Sequence, residues 1–154
     1  MTKILAVDPG TDCGWCVMEG GKIVASGTWD LKAKRHEGGG MRYLRFERYF
    51  LEALFGVNLV AYEEVRRHMG VDAAPVYGGI IAVLAKVCEA AKVPYFGLPV
   101  ATVKRHACKN GAASKEMMVD AANKQYGLAL KYSQDDEADA IWIAATAESQ
   151  YGGK

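Results

Sequence analysis

The sequence predicts an α/β domain on a five-stranded mixed sheet of order 3-2-1-4-5, flanked by helices. Three observations predict it. Ile4-Leu5-Ala6-Val7 and Leu59-Val60-Ala61-Tyr62 are apolar runs without alternation, as in strands buried on both faces. Turn signals at Pro9-Gly10-Thr11-Asp12 and Gly20-Gly21 separate the first run from two short strand-like segments. Beyond residue 40, helical and strand patterns alternate, as in a parallel sheet.

Each element follows in order. Residues 3–8 form a central strand, 13–18 a second, and Lys22 to Trp29 a third. Gly38-Gly39-Gly40 breaks the chain before a helix at 41–55, whose Leu44, Phe50, Leu51, Leu54 and Phe55 are expected to face inward. Residues 59–63 form the fourth strand. A polar loop at 65–72 leads to a helix at 74–92 so widely apolar that it should be covered on two faces, by the sheet and by a second copy of the chain. The fifth strand spans 94–98. A short helix, a turn at Asn110-Gly111, and a helix capped by Ser114 come next. The last helix runs from 134 to 149, with Asp135, Asp136 and Glu137 at its positive end. Three hairpin-linked strands followed by helix–strand–helix–strand–helices is the order of the ribonuclease H-like fold.

The 154 residues match one domain, expected over 1–150 with a flexible tail at 151–154. No apolar run approaches the roughly 20 residues that span a membrane, and the opening residues read as a strand rather than a signal peptide. Four cysteines (Cys13, Cys16, Cys88, Cys108) suggest reduced thiols in a cytoplasmic protein. Cys13-Gly14-Trp15-Cys16 has the spacing of a redox pair or half a zinc site. A strand, however, sends residues three apart to opposite faces. Trp29 and Trp142 read as core residues, and His68 and His106 as residues of basic loops.

The chemistry lies in carboxylates. Asp8 ends the first strand, Glu63 ends the fourth, and Asp136 and Asp139 share one face of the last helix. Alone, each has an ordinary reading: a β-turn, a strand end, a charge answering a helix dipole. Together they converge where open α/β sheets bind ligands, and four carboxylates there repel one another unless cations lie between them. That reads as a Mg²⁺-dependent phosphodiester-cleaving site, where Mn²⁺ would also serve. The net charge is only +1, from 19 basic and 18 acidic residues; setting four acids aside for metal leaves 14 against 19. Lys34, Arg35 and Arg42 beside the triple glycine are candidate DNA contacts.

The motif Ile4-Leu5-Ala6-Val7-Asp8-Pro9-Gly10-Thr11, followed by Gly14, resembles the opening motif of RuvC-type Holliday junction resolvases. Val60-Ala61-Tyr62-Glu63-Glu64-Val65 resembles their second motif, and Asp136-Glu137-Ala138-Asp139-Ala140 their C-terminal Asp-x-x-Asp-Ala motif. Val103-Lys104 and Gly111-Ala112-Ala113-Ser114-Lys115 are similar to the segment that carries the family's functional lysines. The resemblance covers nearly the whole chain and suggests a compact, phage-type branch acting in a host cytoplasm. It implies a homodimer that resolves four-way DNA junctions by paired symmetric nicks, with two metal ions per active site. Asp8 would bridge the ions, with Glu63, Asp136 and Asp139 completing their coordination. Lys104 and Lys115 would hold phosphates, Lys115 at the catalytic centre.

One departure stands out. Where the family carries an aromatic residue after the second motif, this chain has Arg66-Arg67-His68. Arginine can both stack on bases and hold phosphate, so Arg66 and Arg67 are expected to bind DNA, and a broader taste for flaps and forks is an alternative. A non-catalytic junction-binding protein and a nuclease acting on RNA are the other readings. An actin-like ATPase would need a second phosphate loop that the chain lacks.

Overall fold

The structure, a computed structural model, describes residues 1–65 and 73–152. Five strands, β1 (Lys3–Asp8), β2 (Asp12–Glu19), β3 (Lys22–Asp30), β4 (Leu59–Glu64) and β5 (Tyr95–Pro99), form one sheet of order β3-β2-β1-β4-β5. This is the order read from the sequence. β1–β2 and β2–β3 are antiparallel, while β1–β4 and β4–β5 are parallel. β1 lies at the centre because it is paired on both edges, and Ile4, Leu5, Ala6 and Val7 are wholly buried.

Alternation along β1 divides the core into two. Leu5 and Val7 face the helices α1 (Met41–Ala53) and α2 (Ala73–Ala91); Ile4 and Ala6 face α3 (Val100–Cys108), α4 (Lys115–Tyr126) and α5 (Asp135–Tyr151). α5 is the central helix of its layer, with Ala138 and every residue from Ala140 to Ala147 buried. Trp142 packs in that layer and donates from Nε1 to the Met118 carbonyl at 3.1 Å. Trp29, by contrast, is only half-buried, stacked between Trp15 and Tyr49.

Several expectations are corrected. α1 turns Phe46, Phe50 and Leu54 inward, whereas Leu44, Leu51 and Phe55 are exposed. The helix carries two apolar stripes, and the sheet takes the one that repeats every four residues from Phe46. His106 lies on α3 rather than in a loop, with its ring edge-on to Trp142. Residues 74–91 of α2 have a mean hydropathy of 1.4, long and apolar enough by composition to cross a membrane, contrary to the sequence reading. Its inner side chains Ile80, Leu84, Val87 and Cys88 complete the core instead, while Gly78 and Ala82 are exposed. Cys13 and Cys16 lie in opposite cores, as strand geometry requires, and all four thiols are free.

Candidate metal and phosphate site

Asp8 and Glu63 end adjacent parallel strands. The β1–β4 register aligns Ala6 with Ala61 and Val7 with Tyr62, so Asp8 and Glu63 follow side by side on the α5 face. α5 crosses this edge of the sheet and brings Asp139 to meet them. One carboxylate oxygen from each of Asp8, Glu63 and Asp139 lies within 4.8 Å of the other two. Asp136, one turn earlier on α5, stands beside this trio and shares a hydrogen bond with Asp8.

The helix is held in place from outside the cluster. Ser26 on β3 donates to Glu137 at 2.7 Å, and Glu148 near the far end of α5 accepts from the Gly21 N–H at 2.7 Å. Between them they hold both ends of α5 against the β2–β3 hairpin.

Burial and mutual repulsion disturb the acids strongly. The Asp8 carboxyl is pushed well above the ordinary range by burial first, then by Glu63 and Asp139. Burial followed by Glu63 and neighbouring aspartates raises Asp139 to about 7, and Lys104 partly offsets this. Asp136 rises to about 6 through burial, Asp135 and Asp12, with Lys115 opposing. Burial and close approach favour the protonated form of each carboxyl in such a cluster, because every ionised neighbour repels the next charge. Closely set carboxylate oxygens are the donors that hard divalent cations take, so the residues fit such an ion. Beneath Asp8, burial and the Asp8 charge push the Cys13 thiol up, so it stays protonated and inert.

Two lysines complete the wall. A cavity of about 210 Å³ is lined by Glu63, Asp139, Lys104 from α3 and Lys115 from the start of α4. Ser114 caps α4 by accepting from the Met117 N–H at 3.2 Å, which fixes where Lys115 emerges. The Lys115 ammonium lies 3.5 Å from Asp135 and is largely exposed.

The remaining candidates are more scattered. Arg42 donates from Nε to the Leu31 carbonyl at 2.9 Å and lines a larger cleft of about 860 Å³, bordered by Pro9, Gly10, Thr11, Tyr43 and Tyr77. That cleft begins at the turn directly after Asp8. Lys34 and Arg35 are exposed in the loop between β3 and α1 and line neither cavity. Arg66, Arg67 and His68 lie outside the described residues. Sequence reasoning missed Tyr77, whose hydroxyl accepts from the Val65 N–H at 3.1 Å and donates to the Glu63 carbonyl at 2.9 Å. A tyrosine within an aliphatic helix was its only signal.

No protein-family model matches the sequence, and no curated protein matches it. Solved structures do. The chain is similar to Thermus thermophilus RuvC in complex with a Holliday junction substrate, with a TM-score of 0.84 and 24% identity over 99% of this chain and 96% of that one. A second Thermus thermophilus RuvC structure gives a TM-score of 0.79 and 24% identity, covering 98% and 97%. The yeast mitochondrial Holliday junction resolvase Ydc2 gives 0.64 and 18%, covering 98% of this chain and 82% of that one. From its first strand to its last helix, this chain has the ribonuclease H-like fold of the RuvC resolvases.

Proposed function

We propose that the chain is a divalent-metal-dependent endodeoxyribonuclease that resolves four-way DNA junctions as a homodimer, by paired symmetric nicks. The observation that carries this reading is the trio Asp8, Glu63 and Asp139, drawn within 4.8 Å from three elements. The likeness to a junction-bound resolvase over almost the whole chain supports the substrate.

In this reading Asp8, Glu63, Asp136 and Asp139 hold Mg²⁺ or Mn²⁺, two ions per site. Bound by such a donor set, the ions supply activated water for in-line attack on phosphorus and charge neutralisation at the departing 3′ oxygen. The protein's own part is positioning. The three elements fix the carboxylates without a flexible loop, and Lys104 and Lys115 draw the scissile phosphate toward them and balance its charge. Arg42, with Lys34, Arg35, Arg66 and Arg67, holds the flanking backbone. The outward small residues of α2, Gly78 and Ala82, support a second copy packed against that helix. Four free thiols suit a reducing cytoplasm.

Arg66-Arg67-His68 favours a second reading, a broader debranching nuclease. A panel of labelled four-way, flap and linear duplex DNA, incubated with Mg²⁺, Mn²⁺ or EDTA, separates the two. The resolvase reading expects metal-dependent cutting confined to the four-way substrate. Equal cutting of flaps selects the broader enzyme, and tight junction binding without cutting under any metal leaves a binding protein only.

A further inference from the structure

β1 and β4 pair only as far as Val7 and Tyr62, because the chain turns away at Pro9, a residue without an N–H. β4 runs on, paired with β5 on its other edge through Glu63 with Leu98 and Glu64 with Pro99. Along a strand, alternate residues direct their backbone groups to opposite edges. The Val60 N–H bonds the Pro94 carbonyl on the β5 side, so the Glu63 carbonyl and the Val65 N–H point to the β1 side, beyond the last β1–β4 pair. Tyr77, five residues into α2, supplies both missing partners: its hydroxyl donates to the Glu63 carbonyl at 2.9 Å and accepts from the Val65 N–H at 3.1 Å.

We propose that Tyr77 is a positioning residue for the metal centre, its hydroxyl standing in for the next residue of β1 and fixing the backbone around Glu63 so that this carboxylate meets Asp8 and Asp139. The proposal rests on the metal-site reading above. Tyr77 is suited to the role because a phenol hydroxyl donates and accepts at once, as these two bonds require. It also ties the last residues of β4 to α2 on the edge that β1 leaves, while β5 holds the other edge.

The test is Mn²⁺ binding to the protein alone, for wild type, Tyr77→Phe and Tyr43→Phe. Tyr43 lines the same cleft, and no hydrogen bond joins it to β4 among the described residues. Tyr77→Phe is expected to weaken Mn²⁺ binding about tenfold, as loss of a partner behind a metal ligand does, and Tyr43→Phe to leave it unchanged. In junction cleavage, the Mn²⁺ concentration giving half-maximal rate should rise by the same factor. Saturating Mn²⁺ should then restore kcat, with KM for DNA unaltered. Mn²⁺ affinity in Tyr77→Phe within twofold of wild type overturns the proposal, as does a kcat that stays low at saturating Mn²⁺. Wild-type protein that binds no Mn²⁺ overturns the metal reading itself, a result distinct from equal binding by wild type and variant.

Discussion

An ideal β-carbon on Gly14 would lie 1.8 Å from the carbonyl oxygen of Asp136, so the first turn of α5 rests directly on the backbone of β2. Gly14 is also the register partner of Asp8. The absence of a side chain at that one position lets the helix bring Asp136 and Asp139 down onto the end of β1.

Gly14→Ala should therefore act on the site as well as on stability. The added methyl forces the helix start away from the sheet, at a cost of about 1–3 kcal/mol as for other overpacked positions. Thermal unfolding should show that loss, and Mn²⁺ titration a weakened site even where the variant is fully folded.

Asp8→Asn should separate function from stability in opposite directions. It removes a buried carboxylate whose neighbours already repel it, so metal-free protein at pH 8 should melt higher than wild type, while cutting is abolished and junction binding stays. Such gains are common where a site holds clustered charge. Melting curves in EDTA and a gel-shift assay check both halves.

The clustered acids also set a pH dependence. Asp139 and Asp136 move from the ordinary 3.8 to about 7 and about 6 in the folded chain. Below 3.8 both are protonated whether folded or not, and the folded state loses nothing. Between about pH 4 and 7 the unfolded chain releases protons that the folded chain keeps, so their contribution to stability falls as pH rises. Melting temperatures in EDTA should drop across that window, roughly 2–4 °C for each kcal/mol in a domain this size. Asp139→Asn, or added Mg²⁺, should flatten the slope.

How much of this was legible beforehand depended on whether a residue's role follows its own strand or its neighbours. Asp8 and Glu63 could be placed because buried parallel strands announce their ends, and Asp139 because a lone carboxylate between Ala138 and Ala140 opens a buried helix. The face of α1 was misjudged because Leu44, Leu51 and Phe55 make a second stripe as apolar as the true one, and only the sheet chooses between them. Gly14 was visible as part of a motif, but its reason, a helix arriving from 122 residues later, was not. Tyr77 was invisible for a similar reason: its partners lie on a strand edge that exists only after β1 has turned away.

Lys104→Ala should lower kcat by about 10²-fold, the scale of losing one preorganised cation or donor at a developing charge. Metal binding should survive, because Lys104 lines the cavity without supplying a ligand oxygen. Single-turnover cleavage beside a Mn²⁺ titration separates the two effects.

Assembly can be read directly. The proposed homodimer predicts that wild type sediments as a dimer and that Ala82→Arg, which places a charge on the exposed face of α2, gives folded monomer that no longer makes paired nicks.

The most direct measurement maps the nicks made in an end-labelled four-way junction by wild type and Asp8→Asn, with Mg²⁺ and with EDTA. Two cuts at symmetry-related positions, present only for wild type with Mg²⁺, are the expected result. Cutting by Asp8→Asn, or cutting that persists in EDTA, would contradict it.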